Sequence, residues 1–358
     1  MAHNTENDLL GFVSSLTGGD GLRVEETLGS GYVRLRVSEA ERRQAKHDIR
    51  CVEDAVIEML RNARDAGARR IFVASWREGD IRSIVMVDDG MGIPPNMHSR
   101  VFDARVTSKL DTVHMDRWGI HGRGMALYSI AQNAQEARVV DSNVGLGTSI
   151  VVSFDVSKIQ ERADQSSWPT IKGEGKNFEV RGPKNIARAC VEFAVETKGE
   201  CNVYFGSPSE AVATMYGRVE PIGAPPHDFS KQGLANVALC MRPAWAHDAR
   251  EMRMAARSLG IDMSERTAHR IVRSQIAPLR NVLAHVLGPN GSNKAKRVGG
   301  ISSRKLSLSD DDQREFKESL ANAFGKIAAR YYFRLEGEPR IRIDGDVVHV
   351  AFSYQEDE

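Results

Sequence analysis

The sequence predicts an α+β protein, and three observations within residues 51 to 150 carry that prediction. Apolar residues Val52, Ala55, Val56, Met59, Leu60 and Ala63 recur at steps of three and four, which makes one buried helix face. Two runs follow at strand spacing, Arg70 to Trp76 and Ile81 to Val87. A second apolar helical run, Met125 to Ala131, is entered through glycines and followed by the strand Ser149 to Phe154.

Each element has a local reason. Gly67 stops the first helix as a C′ residue, and the chain re-emerges as a strand at Arg70. Upstream, Tyr32 to Val37 alternates well enough for a strand, and Ser38 opens a capped, charged helix. Residues 1–30 form an N-terminal arm, expected as a short helix and a loose tail. A linker rich in charge, Gly and Pro begins near residue 156, so a first domain is expected over 31–156. A small α/β unit over 157–230 follows: helix from Lys184, strand from Cys201, helix from Ser207. Residues 231–300 make a basic helical region. Counting from 241 to 305 gives 13 Lys and Arg against 4 Asp and Glu. Within it, Ala255 to Val272 fits a plain antiparallel helix pair. It also resembles a helix-turn-helix with an over-long turn, whose Arg266, Thr267 and Arg270 would meet DNA. Residues 301–358 close the chain: Asp310, Asp311 and Asp312 suit a helix's first turn, and Asp344-Gly345 joins a hairpin.

Composition bounds the function classes. With 358 residues, 41% of them hydrophobic and 27% charged, the chain can build two or three domains. A net charge of +1 gives no global attraction to nucleic acid, so any such surface must be local. No apolar stretch reaches the length of a membrane span, and the N-terminus lacks a leader pattern. Cysteines 51, 190, 201 and 240 are scattered, which suits a reducing cytoplasm.

Three motifs carry chemistry. Glu58, Asn62 and Asp65 fall at i, i+4 and i+7, one line of the first helix. Asp88-Asp89-Gly90-Met91-Gly92 ends a strand, giving an acceptor at Asp88 and glycines that let backbone approach a flat ligand. Gly119-x-x-Gly122-x-Gly124 precedes a helix, whose first free amides make an anion cradle. The glycine spacing alone is also that of an ordinary loop, and it is not the dinucleotide fingerprint.

Together, in this order and with Gly145-Leu-Gly147-Thr148, these boxes resemble the GHKL ATPase superfamily of gyrase B, heat-shock chaperones, histidine kinases and MutL. Asn62 to Ala68 and Ala104 to Lys109 look most like MutL, and the glycine box also resembles the topoisomerase VI B subunit. The resemblance implies a Bergerat-type α/β sandwich over about 45–155, binding ATP with Mg2+. It implies that Glu58 is the general base and Asn62 the magnesium residue. Asp88, Gly90, Gly92 and Thr148 would receive adenine, while Gly119, Gly122, Arg123, Gly124 and Lys109 would surround the phosphates. Asp89 stands where asparagine is common, and its role is left open. The polar stretch between Ile93 and Gly119 would be a lid, with His114 and His121 as ordinary loop residues. A lysine that relatives supply from the following domain is not identified here. The expected function is ATP hydrolysis coupled to lid closure and rearrangement or dimerisation, with DNA as a partner through 241–305. The alternatives are a histidine-kinase-like module and an ATP sensor without turnover.

Overall fold

The computed structural model describes residues 24–108, 114–116, 119–121, 124–172, 179–295, 310–344 and 347–356. The chain forms two compact units, Met1–Ser292 and Asn293–Glu358.

The first unit begins with β1 (Val24–Gly29) and β2 (Tyr32–Leu35), an antiparallel pair. Next comes α1 (Glu39–Asp48), where Ser38 and Glu41 form the expected cap reciprocally. Helix α2 (Val52–Asp65) buries the six apolar positions named above, and Gly67 follows at φ +76. Strands β3 (Arg70–Glu78) and β4 (Ile81–Asp88) form a hairpin, and the short β5 (Val106–Thr107) pairs with β2. Within the expected lid, β6 (His114–Asp116) pairs with β7 (Gly119–His121). Then follow α3 (Ala126–Asn133), β8 (Glu136–Asn143) and β9 (Gly147–Asp155). Strand β8 is not foreseen by the sequence reading, because its alternation is interrupted by a register shift between Val139 and Asp141.

The main sheet runs beyond residue 155. After α4 (Ile186–Glu196), the strand β10 (Asn202–Gly206) lies parallel to β3, and the sheet order is β10-β3-β4-β9-β8. The segment expected as a small α/β unit thus contributes an edge strand to this sheet. Side chains alternate across it: Ile84 and Met86 of β4 enter one core, Val85 and Val87 the other. The first core lies under α2 and α4. The second is closed by α5 (Pro208–Arg218), α6 (Ala249–Ser258) and α7 (Glu265–Val272). Ser149 Oγ donates to Leu259 O at 2.8 Å, stitching the α6–α7 turn to the sheet. A strand buried on both faces reads as an unbroken apolar run, as Ile84 to Val87 does.

The second unit contains the helix Asp310–Ala328 and the hairpin of Arg340–Asp344 with Val347–Ala351. Phe333–Leu335 pairs with Tyr354–Glu356, and Phe324 stacks on Phe352 with ring centroids 4.2 Å apart. Among the described residues, no helix is long and apolar enough to cross a membrane.

Candidate functional site

A cleft of about 690 Å³ opens between α2, the end of β4, the start of β9 and the entry to α3. It is lined by Glu58, Asn62, Asp65, Asp88, Gly92, Gly124 and Thr148, so the first and second motifs and the end of the third converge there. Gly90 lies beside it, its amide donating to Asp88 Oδ1 at 2.8 Å. Gly119 belongs to β7, while Lys109, Gly122 and Arg123 lie outside the described residues.

One end of the cleft is a strand-end lock. Asp88 and Thr148 are register partners across β4 and β9, and both are buried. Gly92 takes φ +77, and a Cβ there would stand 1.9 Å from Asn143 O, so only glycine fits between the two chain segments. Ser142 Oγ accepts from Ile93 N at 2.7 Å, donates to Gly147 O at 2.8 Å, and lies 3.2 Å from Thr148 Oγ1. This is a shallow apolar slot, with Met86 and Ile150 on its floor and a buried carboxylate at its edge. A carboxylate accepts from an exocyclic amine and disfavours a carbonyl in the same place, which is the selectivity of an adenine pocket. Asp89, whose role the sequence leaves open, points elsewhere. Its Oδ1 accepts from the amides of Arg69 and Arg70 and its Oδ2 from Arg70 Nε, all at 2.8 Å, so it fastens the α2–β3 turn.

The wall is α2. Glu58 and Asn62 face the cleft one turn apart, and Arg61 lies beside them with its side chain only 4% exposed. Arg61 Nη1 donates to Glu58 Oε1 at 2.5 Å. Asp65 pairs with Arg64 Nη2 at 3.0 Å.

The glycine before α3 also lines the cleft. Gly124 takes φ +67, and its carbonyl accepts from Arg105 N at 2.9 Å. No side chain caps the start of α3, leaving its first amides as donors. Arg105 is buried, and its Nη2 donates to Glu41 of α1. The amide of Ser38, then that guanidinium, hold the Glu41 carboxyl below the usual carboxylate range. Burial pushes the Tyr32 phenol up at the same rim, partly offset by a hydrogen bond with Ser108.

Buried polar atoms without hydrogen-bond partners cluster here. Among the described residues they are Asn62 Nδ2, Arg105 Nε and Ser129 Oγ, and all three residues line this one cleft. Orphaned buried donors are costly, by about 1–3 kcal/mol each, so their concentration in one cavity marks a place where a polar ligand completes the hydrogen bonding. The residues present suit a magnesium ion. A half-turn of the Asn62 side-chain amide brings its oxygen into the unpartnered position. Among the described residues no group of three or more His, Cys, Asp or Glu could hold a metal. An ion that takes most of its ligands from phosphate and water needs no such cage.

The sequence reading placed Arg105 in the lid stretch without a role of its own, and missed Arg61, Ser129 and Ser142 as lining or supporting residues. Arg61 had a signal in its spacing from Glu58 at i+3; Ser142 had none, since it reaches the cleft through long-range pairing.

Comparison with known proteins agrees with this geometry. Residues 47–158 match the family described as histidine kinase-, DNA gyrase B-, and HSP90-like ATPase. The DNA mismatch repair protein MutL of Thermus thermophilus is 43% identical over 210 residues, which cover 54% of this chain and 38% of that protein. MutL of Thermus aquaticus is 45% identical over 84 residues, covering 23% and 15%. The histidine protein kinase SaeS of Staphylococcus epidermidis is 28% identical over 110 residues, covering 29% and 30%. The chain thus spans well under half the length of these relatives.

Proposed function

We propose that this chain, whose residues 47–158 match the histidine kinase-, DNA gyrase B- and HSP90-like ATPase family, binds ATP with magnesium in the cleft and hydrolyses it. The observation that carries this reading is the joint one above: a carboxylate and an amide one turn apart on α2, opposite a buried aspartate, around a cleft lined by unpartnered donors. Adenine lies in the slot, its amine donating to Asp88, with Thr148 and Ser142 fixing the strand ends beneath it. The triphosphate runs toward Gly124 and the first amides of α3.

Asn62 would hold magnesium, which when bound neutralises phosphate charge. Glu58 orients a water toward the γ-phosphorus and takes its proton as the oxygen–phosphorus bond forms. The bond to the bridging oxygen breaks with its electron pair remaining on ADP. Arg61 fixes the carboxylate rotamer. Residues 93–119 close over the nucleotide, and closure changes the arrangement or dimerisation of the appended segments.

A DNA partner is part of the proposal. Helices α6 and α7 bury Met252, Ala255, Ala256, Ala268 and Ile271 on the sheet. The opposite faces leave Arg250, Arg253, Arg257, Arg266, Arg270 and Arg273 exposed. Replacing Arg266 and Arg270 together by alanine is expected to weaken DNA binding and flatten its salt dependence by up to about two charges' worth. Unchanged affinity and slope would remove DNA contact by α7.

A second reading, ATP sensing without turnover, is favoured by the short Glu58–Arg61 contact, which occupies the base. Magnesium-dependent ATP hydrolysis by wild type and by Glu58→Gln separates the two. Turnover lost on substitution with ATP binding retained supports hydrolysis. Binding without turnover in wild type supports sensing, and transfer of phosphate to a protein side chain refutes both in favour of a kinase.

A further inference from the structure

We infer that Arg105 is a phosphate-binding residue of this cleft, its charge moderated by Glu41 of α1. The inference rests on the ATP-site reading and adds to it a contact for the triphosphate end.

Arg105 lines the cleft beside Gly124, at the entry to α3. Its amide donates to Gly124 O at 2.9 Å and its carbonyl accepts from Leu35 N at 3.0 Å. A Cβ on Gly124 would stand 3.3 Å from Arg105 Cα, so the residue abuts the glycine that opens α3. That glycine marks the anion end, because the uncapped amides of α3 begin just beyond it. The backbone of Arg105 takes φ +61, a left-handed conformation that non-glycine residues seldom adopt outside turns and functional sites. This arrangement is held from both sides, by β2 and by the glycine.

The side chain supplies the independent argument. It is 7% exposed and lines the cleft, and its Nε has no hydrogen-bond partner. Its carboxylate partner, Glu41, is 38% exposed and divided in its duties. Glu41 Oε2 accepts from Ser38 N at 2.9 Å and from Ser38 Oγ at 3.0 Å as the reciprocal cap of α1, while Oε1 meets Arg105 Nη2. A buried guanidinium with one shared, partly solvated counter-charge and an orphaned donor is under-compensated, and an anionic ligand in the same cavity corrects that. Phosphate oxygens fit a planar fork of N–H donors. Glu41 keeps the site from being a fixed, unopposed positive charge when no nucleotide is bound. It also ties α1 and the β1-β2-β5 sheet to the phosphate end.

The two partners make opposite predictions, which separates ligand binding from a structural ion pair. Arg105→Asn suits the left-handed backbone and removes the charge. It is expected to weaken binding of a non-hydrolysable ATP analogue about tenfold or more, the size of a lost charge-assisted hydrogen bond, with adenosine binding unchanged. Glu41→Gln retains a cap acceptor and unmasks the guanidinium, so it is expected to tighten the ATP analogue about two- to fivefold, again sparing adenosine. Affinities are measured by calorimetry on the full chain, with circular dichroism melts checking folding. If both substitutions weaken ATP analogue and adenosine alike, the pair is structural and the inference is overturned. Unchanged analogue binding in Arg105→Asn overturns it as well, while leaving the ATP site standing. Failure of wild type to bind the analogue overturns both.

Discussion

Replacing Gly92 by alanine tests the strand-end lock directly, with Gly145→Ala as an internal control. The two glycines share nearly the same φ, +77 and +78, but a Cβ at 92 would lie 1.9 Å from Asn143 O and 2.8 Å from Asn143 C, whereas at 145 nothing lies within 4 Å. Both alanines carry the left-handed cost of roughly 1–2 kcal/mol, offset by about 0.4–1 kcal/mol from a stiffer unfolded chain. At position 92 the obstructing atoms are backbone, so relief requires β8 to part from the segment after β4. That strains Gly145 N to Met91 O (2.7 Å), Ile93 N to Ser142 Oγ and Ser142 Oγ to Gly147 O. Losing two or three such bonds adds about 2–3 kcal/mol. Gly92→Ala is therefore expected to lose about 3–4 kcal/mol and Gly145→Ala about 1 kcal/mol or less. Urea unfolding followed by tryptophan fluorescence suits the comparison, because Trp76, Trp168 and Trp245 belong to the first unit and the sequence from 293 to 358 contains no tryptophan. With a slope of about 3 kcal/mol per molar urea, the midpoints should differ by roughly 1 M. Coincident midpoints would show that the close approach at Gly92 is not a constraint, and the adenine slot proposed on it would lose its foundation.

Two further outcomes follow from charge and burial. Arg61→Met keeps the length of the buried stem and removes the guanidinium that donates to Glu58; loss of that positioning contact should lower kcat about tenfold with ATP binding retained. An unchanged kcat would mean that Arg61 does not position the base. Burial pushes the Cys51 thiol up to about 12 and Cys240 to about 11, and raises Cys190 as well. These groups are protonated in the folded state where unfolded thiols ionise, so their contribution is complete below about pH 8.5 and is lost as pH rises toward the folded values. Cys190 and Cys240 should each remove up to about 1.4 kcal/mol of stability per pH unit in that window, read from urea midpoints between pH 8 and 10.5. A thiol-specific disulfide reagent should leave both untouched at pH 8 without urea; rapid modification there would contradict their burial.

Much of the candidate site was legible in the sequence because its chemistry is local. The line of Glu58 and Asn62 is a property of one helix, fixed by 3.6 residues per turn and by the apolar stripe that decides which side faces inward. Asp88 stands at a strand end because the apolar run stops there and glycines follow. The helix Asp310–Ala328 and the hairpin from Arg340 were equally readable from a cap and a turn. Neighbours separated by tens of residues were not. Only tertiary pairing brings Ser142 beneath Ile93, sets Arg105 between Leu35 and Gly124, and adds β10 parallel to β3 beyond an expected boundary. Only packing shows that α5, α6 and α7 cover the second face of the sheet, turning the basic helices' arginines outward. Spacing along the chain determines which side chains share a helix face or strand edge; register between distant strands depends on how whole apolar faces are buried together, and no short stretch encodes that.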